Sequence, residues 1–151
     1  MNQKRLFFLQ VIASVFAGAS LLCLVLLFFR AFPSLRFLDD ATSYGPWLEE
    51  GLKFIVVLVL IRLAYLTPLT IPFVGIGFGL LESINYFINR GVGSIVPFLA
   101  HVVFGFVMAF FFYLSKNQKY SSLRSIWYAL ALLIPVYFHL LYNIAMKSLF
   151  M

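Results

Sequence analysis

The sequence predicts an all-α fold, a polytopic membrane helix bundle with about five transmembrane helices. Of its 151 residues, 64% are hydrophobic and 11% are charged, and the mean hydropathy is +1.03. This is far more apolar surface than one compact soluble domain needs to bury. The apolar residues also form long stretches, each able to cross a hydrocarbon layer about 30 Å thick. We therefore expect a single transmembrane domain over residues 1–151.

The first span is predicted at residues 6–29, directly after Lys4 and Arg5. It is too long for the core of a signal peptide, and no small-x-small cleavage site follows it. Its Cys23 is the single cysteine of the chain, which excludes an intrachain disulfide, and we expect it to pack as a small residue. Residues 30–44 are polar and suit a loop at the membrane surface.

The second and third spans are predicted at residues 45–66 and 68–89. Pro46 is acceptable in the first turn of a helix. Pro68 and Pro72 remove backbone donors and restrict the residues before them, which indicates a tight turn between the two spans.

One face of the third span carries small residues in its first half and polar residues in its second half. Gly75, Gly79, Glu82 and Tyr86 follow one another at intervals of four, three and four residues, which places them on one side of a helix. The two glycines predict that a neighbouring helix approaches closely.

The fourth and fifth spans are predicted at residues 95–114 and 125–145, joined by the most basic loop of the chain at 116–124. Basic residues also occur at the N-terminus and near Arg62. The positive-inside rule therefore places the N-terminus in the cytoplasm, and five alternating spans place the C-terminus outside. We expect a multi-pass protein of the cell membrane, surrounded by the lipid bilayer. Because the +6 net charge lies in loops, it does not indicate a nucleic-acid partner.

The second span contains Glu49, Glu50 and Lys53. A charged group at mid-membrane costs roughly 2.5–3.5 kcal/mol on insertion scales, so such groups normally face a protein interior or a wet cavity and mark function. Lys53 lies four and three residues after the two acids, so one helical face can hold all three. We expect Lys53 to be a charge partner of Glu49 or Glu50 rather than a reactant.

Five polar side chains occur at a similar depth in four different spans. With the spans side by side and alternating in direction, they lie about 5–12 Å below the outer surface by helical rise. They are Glu49, Glu50, Glu82, His101 and His139. We therefore predict that they converge in one hydrated pocket near the external face.

This set of side chains suits the attack of water on an amide. Clustered carboxylates in an apolar site provide a general base or acid, and histidine or asparagine can donate to a developing oxyanion. Histidine and carboxylate ligands also suit a hydrolytic metal ion. The possible ligands here are Glu82, His101 and His139, and the possible metal is zinc. Alternatively, Glu82 forms a buried polar clasp with Asn85 and Tyr86, and Asn143 joins helices by hydrogen bonds.

The ordered motifs resemble those of the PrsW family of intramembrane proteases, relatives of the CAAX-processing and bacteriocin-processing (CPBP, or Abi) membrane endopeptidases. The similarity covers residues 46–143. The motifs are Glu49-Glu50-x-x-Lys53, Phe78-x-x-x-Glu82-x-x-x-Tyr86, His101, and His139-x-x-x-Asn143.

The resemblance implies a role for each of these residues. Glu49 would activate water, and His101 would help to hold it. Glu50 and Glu82 would complete the acidic cluster. His139 and Asn143 would face the oxyanion. Substrates implied by the family are membrane-anchored proteins or peptides cut near the outer face. The resemblance leaves open whether a metal takes part.

Two other classes of function fit the same residues. A non-enzymatic membrane protein would use the acids and histidines to bind or pass protons or cations, as transporters do. An immunity or scaffold protein would keep the fold of a protease and bind a peptide without cutting it.

Overall fold

The computed structural model describes residues 2–35, 44–90 and 95–150, and within these ranges all regular structure is helical. The prediction of an all-α bundle is therefore confirmed. The helices are α1 (Gln3–Ala31), α2 (Gly45–Arg62), α3 (Pro72–Arg90), α4 (Ile95–Lys116) and α5 (Ser121–Phe150). A 3₁₀ turn over Pro68–Thr70 precedes α3.

Four membrane-spanning candidates are found among the described residues by length and composition. They are Gln3–Ala31, Pro68–Ile88, Ile95–Lys116 and Ser121–Ser148. The remaining helix, α2, has 18 residues and carries Glu49, Glu50, Lys53 and Arg62. The chain is thus a multi-pass membrane protein, with four strongly apolar helices and a fifth helix that is charged.

The helix α2 ends four residues before the predicted boundary because the backbone reverses after Arg62. Ala64 has φ of 60°, a left-handed conformation that ends helices. The Ala64 N–H donates to the Ile61 carbonyl, and the Tyr65 N–H donates to the Leu60 carbonyl, the paired bonds of a Schellman motif. Hydropathy alone does not show this stop, since the residues after it are still apolar.

Both α1 and α4 pack against α3 with almost no space between the backbones. A Cβ at Gly18 of α1 would clash with the Val74 carbonyl oxygen, and one at Gly75 would clash with the His101 carbonyl oxygen. The prediction that small residues of α3 admit a neighbouring helix is confirmed. A core of apolar side chains from α2, α3, α4 and α5 lies beside these contacts; its most buried members include Val57, Val74, Met108, Phe112 and Ala131.

The contacts also give the directions of the helices. Gly18 lies beside Val74 while Val15 lies beside Gly77, so α1 runs antiparallel to α3. In the same way α3 runs antiparallel to α4, and α4 to α5, where Phe104 meets His139 and Phe112 meets Tyr128. The helix α2 runs parallel to α4, since Glu49 meets His101 and Phe54 meets Phe112. One end of the bundle therefore holds the starts of α1, α2 and α4 and the ends of α3 and α5, and we call it the Gly45 end. The opposite end is called the Arg62 end.

The direction of α1 differs from the expectation of five alternating spans. Because α1 and α2 both begin at the Gly45 end, the start of α1 and the end of α5 lie at the same end of the bundle. Hydropathy predicts the length of a span but not its direction, and residues 36–43 between α1 and α2 lie outside the described residues.

The expectation that Cys23 is packed is wrong, because the structure leaves its side chain exposed. The helix α1 contacts the bundle along one narrow stripe, and Cys23 lies outside that stripe among apolar side chains that face lipid. The buried residues of α1 are Gln10, Ser14, Gly18, Leu21, Leu22, Val25 and Phe29.

We expect Gly18→Ala to destabilise the bundle, because the added methyl group would meet the backbone of α3. Overpacking of this kind costs typically about 1–3 kcal/mol. Gly51→Ala is the matched control, since a Cβ at Gly51 would meet no described atom within 4 Å apart from the backbone of its own helix, and helix propensity alone favours alanine there by up to about 1 kcal/mol. The measurement is the free energy of unfolding in mixed micelles, followed by circular dichroism. Equal destabilisation by both substitutions would contradict the close packing of α1 on α3.

Candidate active site

Four helices bring the predicted polar side chains into one cluster near the Gly45 end. Contacts of 4.0 Å or less join α2 to α4 and α5, and α3 to α4. The side chains therefore converge as predicted, whereas the hydration of the site and its place near the external face stay predictions. The members are Glu49, Glu50, Lys53, Glu82, His101 and His139.

The innermost part of the cluster is an ion pair on α2. The Lys53 ammonium lies 2.6 Å from Glu50 Oε1, and both side chains are at most 4% exposed. Lys53 also lies over the ring of Phe78, with Nζ 4.2 Å from the ring centroid, a favourable cation–π position. The charge partner of Lys53 is therefore Glu50, one of the two candidates that the spacing allowed.

His101 lies between this ion pair and the two other glutamates. Its Nδ1 is 2.7 Å from Lys53 Nζ. Its Nε2 is 2.7 Å from Glu82 Oε2 and 3.8 Å from Glu49 Oε2. With 1% of its side chain exposed, His101 makes these contacts out of reach of bulk solvent.

His139 approaches the same ion pair from α5. Its Nδ1 is 3.0 Å from Glu50 Oε1, and its Nε2 is 4.0 Å from Glu49 Oε2. The rings of His139 and His101 are nearly perpendicular, at 85°, with centroids 5.0 Å apart. Both imidazoles thus turn Nδ1 toward the ion pair and Nε2 toward Glu49.

Two aromatic residues that sequence reasoning missed surround the histidines. Phe104 is stacked on His139 at 5.1 Å between centroids and contacts His101 edge-on at 5.7 Å. Tyr142 lies 6.2 Å from His139. Each follows a histidine by three residues in its own helix, so helical spacing was the signal that identifies them.

The supporting residues named from the sequence lie on the helices that form the cluster. Asn85 and Tyr86 are half-buried on α3, within one or two turns of Glu82, and Asn143 is half-buried on α5, one turn after His139. Their roles stay predictions.

Two carboxylate oxygens of the cluster are buried without a hydrogen-bond donor among the described residues: Glu49 Oε2 and Glu82 Oε2. The second lies only 2.7 Å from His101 Nε2. Buried oxygens of this kind are costly unless something else binds them. They are the atoms that a cation or a reacting water would meet.

The donor atoms fit a metal ion. Glu49, His101 and His139 each offer one ligand atom, and these atoms lie within 4.8 Å of one another. Zinc ligands in a tetrahedral site lie about 3.3–3.6 Å apart, given bond lengths near 2.0–2.2 Å. The 3.8 Å and 4.0 Å between Glu49 Oε2 and the two Nε2 atoms are close to that spacing. From the sequence, the possible metal ligands were Glu82, His101 and His139. In the structure the converging ligand group is Glu49, His101 and His139, and Glu82 lies beside His101.

We expect the purified protein to retain about one divalent metal ion per chain, because an open catalytic site uses three protein ligands. Glu49→Gln and His139→Asn should each lower the metal content to background, while Tyr142→Phe should retain it, since the tyrosine hydroxyl offers no ligand in this group. The measurement is elemental analysis after removal of loosely bound metal, on protein purified without a histidine tag. Equal metal content in all four proteins would contradict a metal site here.

Comparison with known families places this cluster in context. The model of the PrsW family intramembrane metalloprotease matches residues 7–151, a range that includes all four helices of the cluster. No curated protein and no solved structure matches the chain. A link to the CAAX-processing enzymes stays a prediction. Since the match extends over nearly the whole sequence, the chain is an intramembrane protease that belongs to the PrsW family of metalloproteases.

Proposed function

We propose that this protease is an endopeptidase that hydrolyses a peptide bond of a membrane-anchored protein or peptide near the extracytoplasmic face. The observation that supports this proposal is Glu49 Oε2, a buried carboxylate oxygen that has no donor among the residues the structure describes and that faces Nε2 of both histidines. A general base needs such an oxygen, free to accept a proton within reach of the groups that position water.

In the proposed reaction, Glu49 takes a proton from water while the water oxygen bonds to the scissile carbonyl carbon. The bond between that carbon and the amide nitrogen then breaks, and the proton passes from Glu49 to the leaving amine. General base and acid catalysis of this kind contributes typically about 10²–10⁴-fold. Asn143 is proposed to donate its amide N–H to the oxygen that becomes negative.

Exposure separates the reacting acids from the supporting pair. The side chains of Glu49 and Glu82 are 17% and 20% exposed, so part of each reaches the surface of the cluster, although Oε2 of each is buried. Glu50 and Lys53 are at most 4% exposed and lie behind the histidines. We therefore assign the chemistry to Glu49 and the support of the histidines to the ion pair.

A divalent metal such as zinc, when bound, supplies a Lewis acid that polarises the carbonyl and activates water. The residues that would hold it are drawn from Glu49, Glu82, His101 and His139. Contacts at Nδ1 keep both rings oriented: Glu50 holds His139, as an outer carboxylate commonly does for a metal ligand, and Lys53 holds His101.

The side of the membrane is proposed from the basic residues. Lys119 in the turn between α4 and α5, with Lys116 and Arg124 in the adjoining helix ends, places three basic residues within nine positions at the Arg62 end, where Arg30 and Arg62 also lie. The basic residues at the Gly45 end are spread over three helices: Lys4, Arg5, Arg90 and Lys147. Basic loops stay in the cytoplasm, which favours an extracytoplasmic Gly45 end and supports cleavage near that face. With the observed direction of α1, this places the start of α1 outside, unlike the expectation from alternating spans.

Cleavage is tested in proteoliposomes with single-span peptides that carry a fluorophore and a quencher on either side of the segment nearest the membrane surface. We expect wild type to cut at least one peptide of such a panel. Glu49→Gln and His139→Ala should lower the rate by about 10²-fold or more, because they remove the base and its neighbour. Ile144→Ala, an exposed position on α5, should leave the rate unchanged. Dissipation of a proton or cation gradient without cleavage, lost in the same variants, would favour the transport class instead.

The orientation is tested with a membrane-impermeant maleimide on intact cells, in a Cys23→Ser background. Ser148→Cys is exposed near the Gly45 end and Asn117→Cys is exposed at the Arg62 end. We expect labelling of the first without permeabilisation and of the second only after it, because the proposal places the Gly45 end outside. The reverse pattern would contradict the proposed side while leaving the protease assignment intact.

A further inference from the structure

The ion pair of Glu50 and Lys53 contacts both histidines of the cluster through the same ring atom but with opposite partners. Nδ1 of His139 lies 3.0 Å from Glu50 Oε1. Nδ1 of His101 lies 2.7 Å from Lys53 Nζ. Nδ1 of His101 also lies 3.6 Å from Glu50 Oε1, which is too long for a hydrogen bond. The hydrogen-bonding partner of Nδ1 is therefore an anion at His139 and a cation at His101.

The hydrogen-bonding capacity of these partners fixes where each imidazole carries its proton. An ionised carboxylate only accepts hydrogen bonds, and an ammonium only donates them. A neutral imidazole has one nitrogen with a proton and one with a free lone pair. His139 must then carry its proton on Nδ1 to satisfy Glu50, and His101 must keep Nδ1 unprotonated to accept from Lys53.

Because these side chains are buried, the contacts with the ion pair determine the tautomer of each imidazole. The side chains of Glu50, Lys53, His101 and His139 are all at most 4% exposed, so bulk water does not offer either Nδ1 a different partner. The tautomer of a histidine is set by the hydrogen bond that its other nitrogen makes, and here both of those bonds lead to one ion pair.

We propose that the Glu50–Lys53 ion pair holds the two histidines in opposite tautomers, with His139 presenting a free Nε2 lone pair and His101 presenting an Nε2–H donor. Lys53 is in this sense a positioning residue that acts through His101. The catalytic consequence rests on the proposed function, whereas the tautomers themselves do not.

The opposite tautomers give the histidines different roles. The Nε2 lone pair of His139, 4.0 Å from Glu49 Oε2, is a ligand for a metal ion, with Glu50 as the carboxylate that orients the ring. The Nε2–H of His101 faces Glu82 Oε2 and Glu49 Oε2 and donates to a carboxylate or to substrate oxygen. A metal would then be held by Glu49 and His139, without His101 of the group that the distances alone suggest. This differs from the role at the oxyanion that the resemblance implies for His139.

The tautomers are measured by nitrogen-15 nuclear magnetic resonance of protein labelled at histidine, kept metal-free with a chelator and purified without a histidine tag. The chain has two histidines, so His101→Gln assigns both sets of ring signals. We expect one imidazole protonated at Nδ1, assigned to His139, and one protonated at Nε2, assigned to His101. Two imidazoles in the same tautomer would overturn the proposal.

Variants of Lys53 test whether this residue sets the tautomer of His101. Lys53→Arg keeps a group that only donates, so the wild-type pattern should remain. Lys53→Met should convert His101 to a mixture of tautomers without changing His139, and Lys147→Met, exposed on α5, should change neither. A wild-type pattern in Lys53→Met would overturn the role of Lys53. If Lys53→Met does not fold, the spectra of wild type and Lys53→Arg still test whether the two histidines have opposite tautomers.

Two further measurements separate positioning from simple structural support. In the cleavage assay, Lys53→Met should lower kcat about 10–100-fold, the usual effect of removing an outer partner, with KM nearly unchanged. Lys53→Arg should restore most of the rate.

The metal content of histidine variants tests the proposed ligands. His101→Gln should keep its metal while His139→Gln loses it, and equal loss from both variants would overturn the proposed ligand set. Failure of wild type to cleave any peptide would count against the proposed function, but the tautomer spectra would stand.

Discussion

The burial of the Glu50–Lys53 ion pair is the constraint on which the rest of this bundle depends. Charges taken out of water are stable only when their partners satisfy them closely, and the two histidines from α4 and α5 complete this pair. The helix α2 carries too much charge to be an independent apolar span. Its place among the other helices is therefore fixed by polar contacts at the Gly45 end, together with the apolar core toward the Arg62 end.

The second determinant is the close approach of α3 and α4. Gly75 lies against the backbone of His101, and Gly79 lies against the backbone of Phe98. Because no side chain separates the helices there, Glu82, one turn beyond Gly79, reaches His101 Nε2 at 2.7 Å. A larger residue at either glycine would move α4 outward and open that contact. The small residues thus set distances in the site without taking part in its chemistry.

Sequence reasoning found the cluster because charge in an apolar helix is conspicuous and because helical spacing orders it. It did not distinguish which acid pairs with Lys53, since spacings of three and four residues are equally within reach. The packing of Phe78 and the approach of His139 to Glu50 decide that question. The direction of α1 and the exposure of Cys23 were missed for a related reason: both depend on which helix lies beside α1, and hydropathy carries no information about neighbours.

Glu49 and Glu50 show how one residue type acquires two roles at adjacent positions. Successive residues of a helix point about 100° apart, so the two carboxylates meet different surroundings. Glu50 Oε1 contacts Lys53 and His139, and its negative charge stabilises both contacts. Glu49 Oε2 is buried but has no donor in the described part of the chain. Glu82 Oε2 and Ser83 Oγ are also buried without a partner among the described residues. Of the three atoms, Glu49 Oε2 is the one that lies within 4.0 Å of Nε2 of both histidines, which is why the proposed chemistry is assigned to Glu49 and the support of the histidines to Glu50.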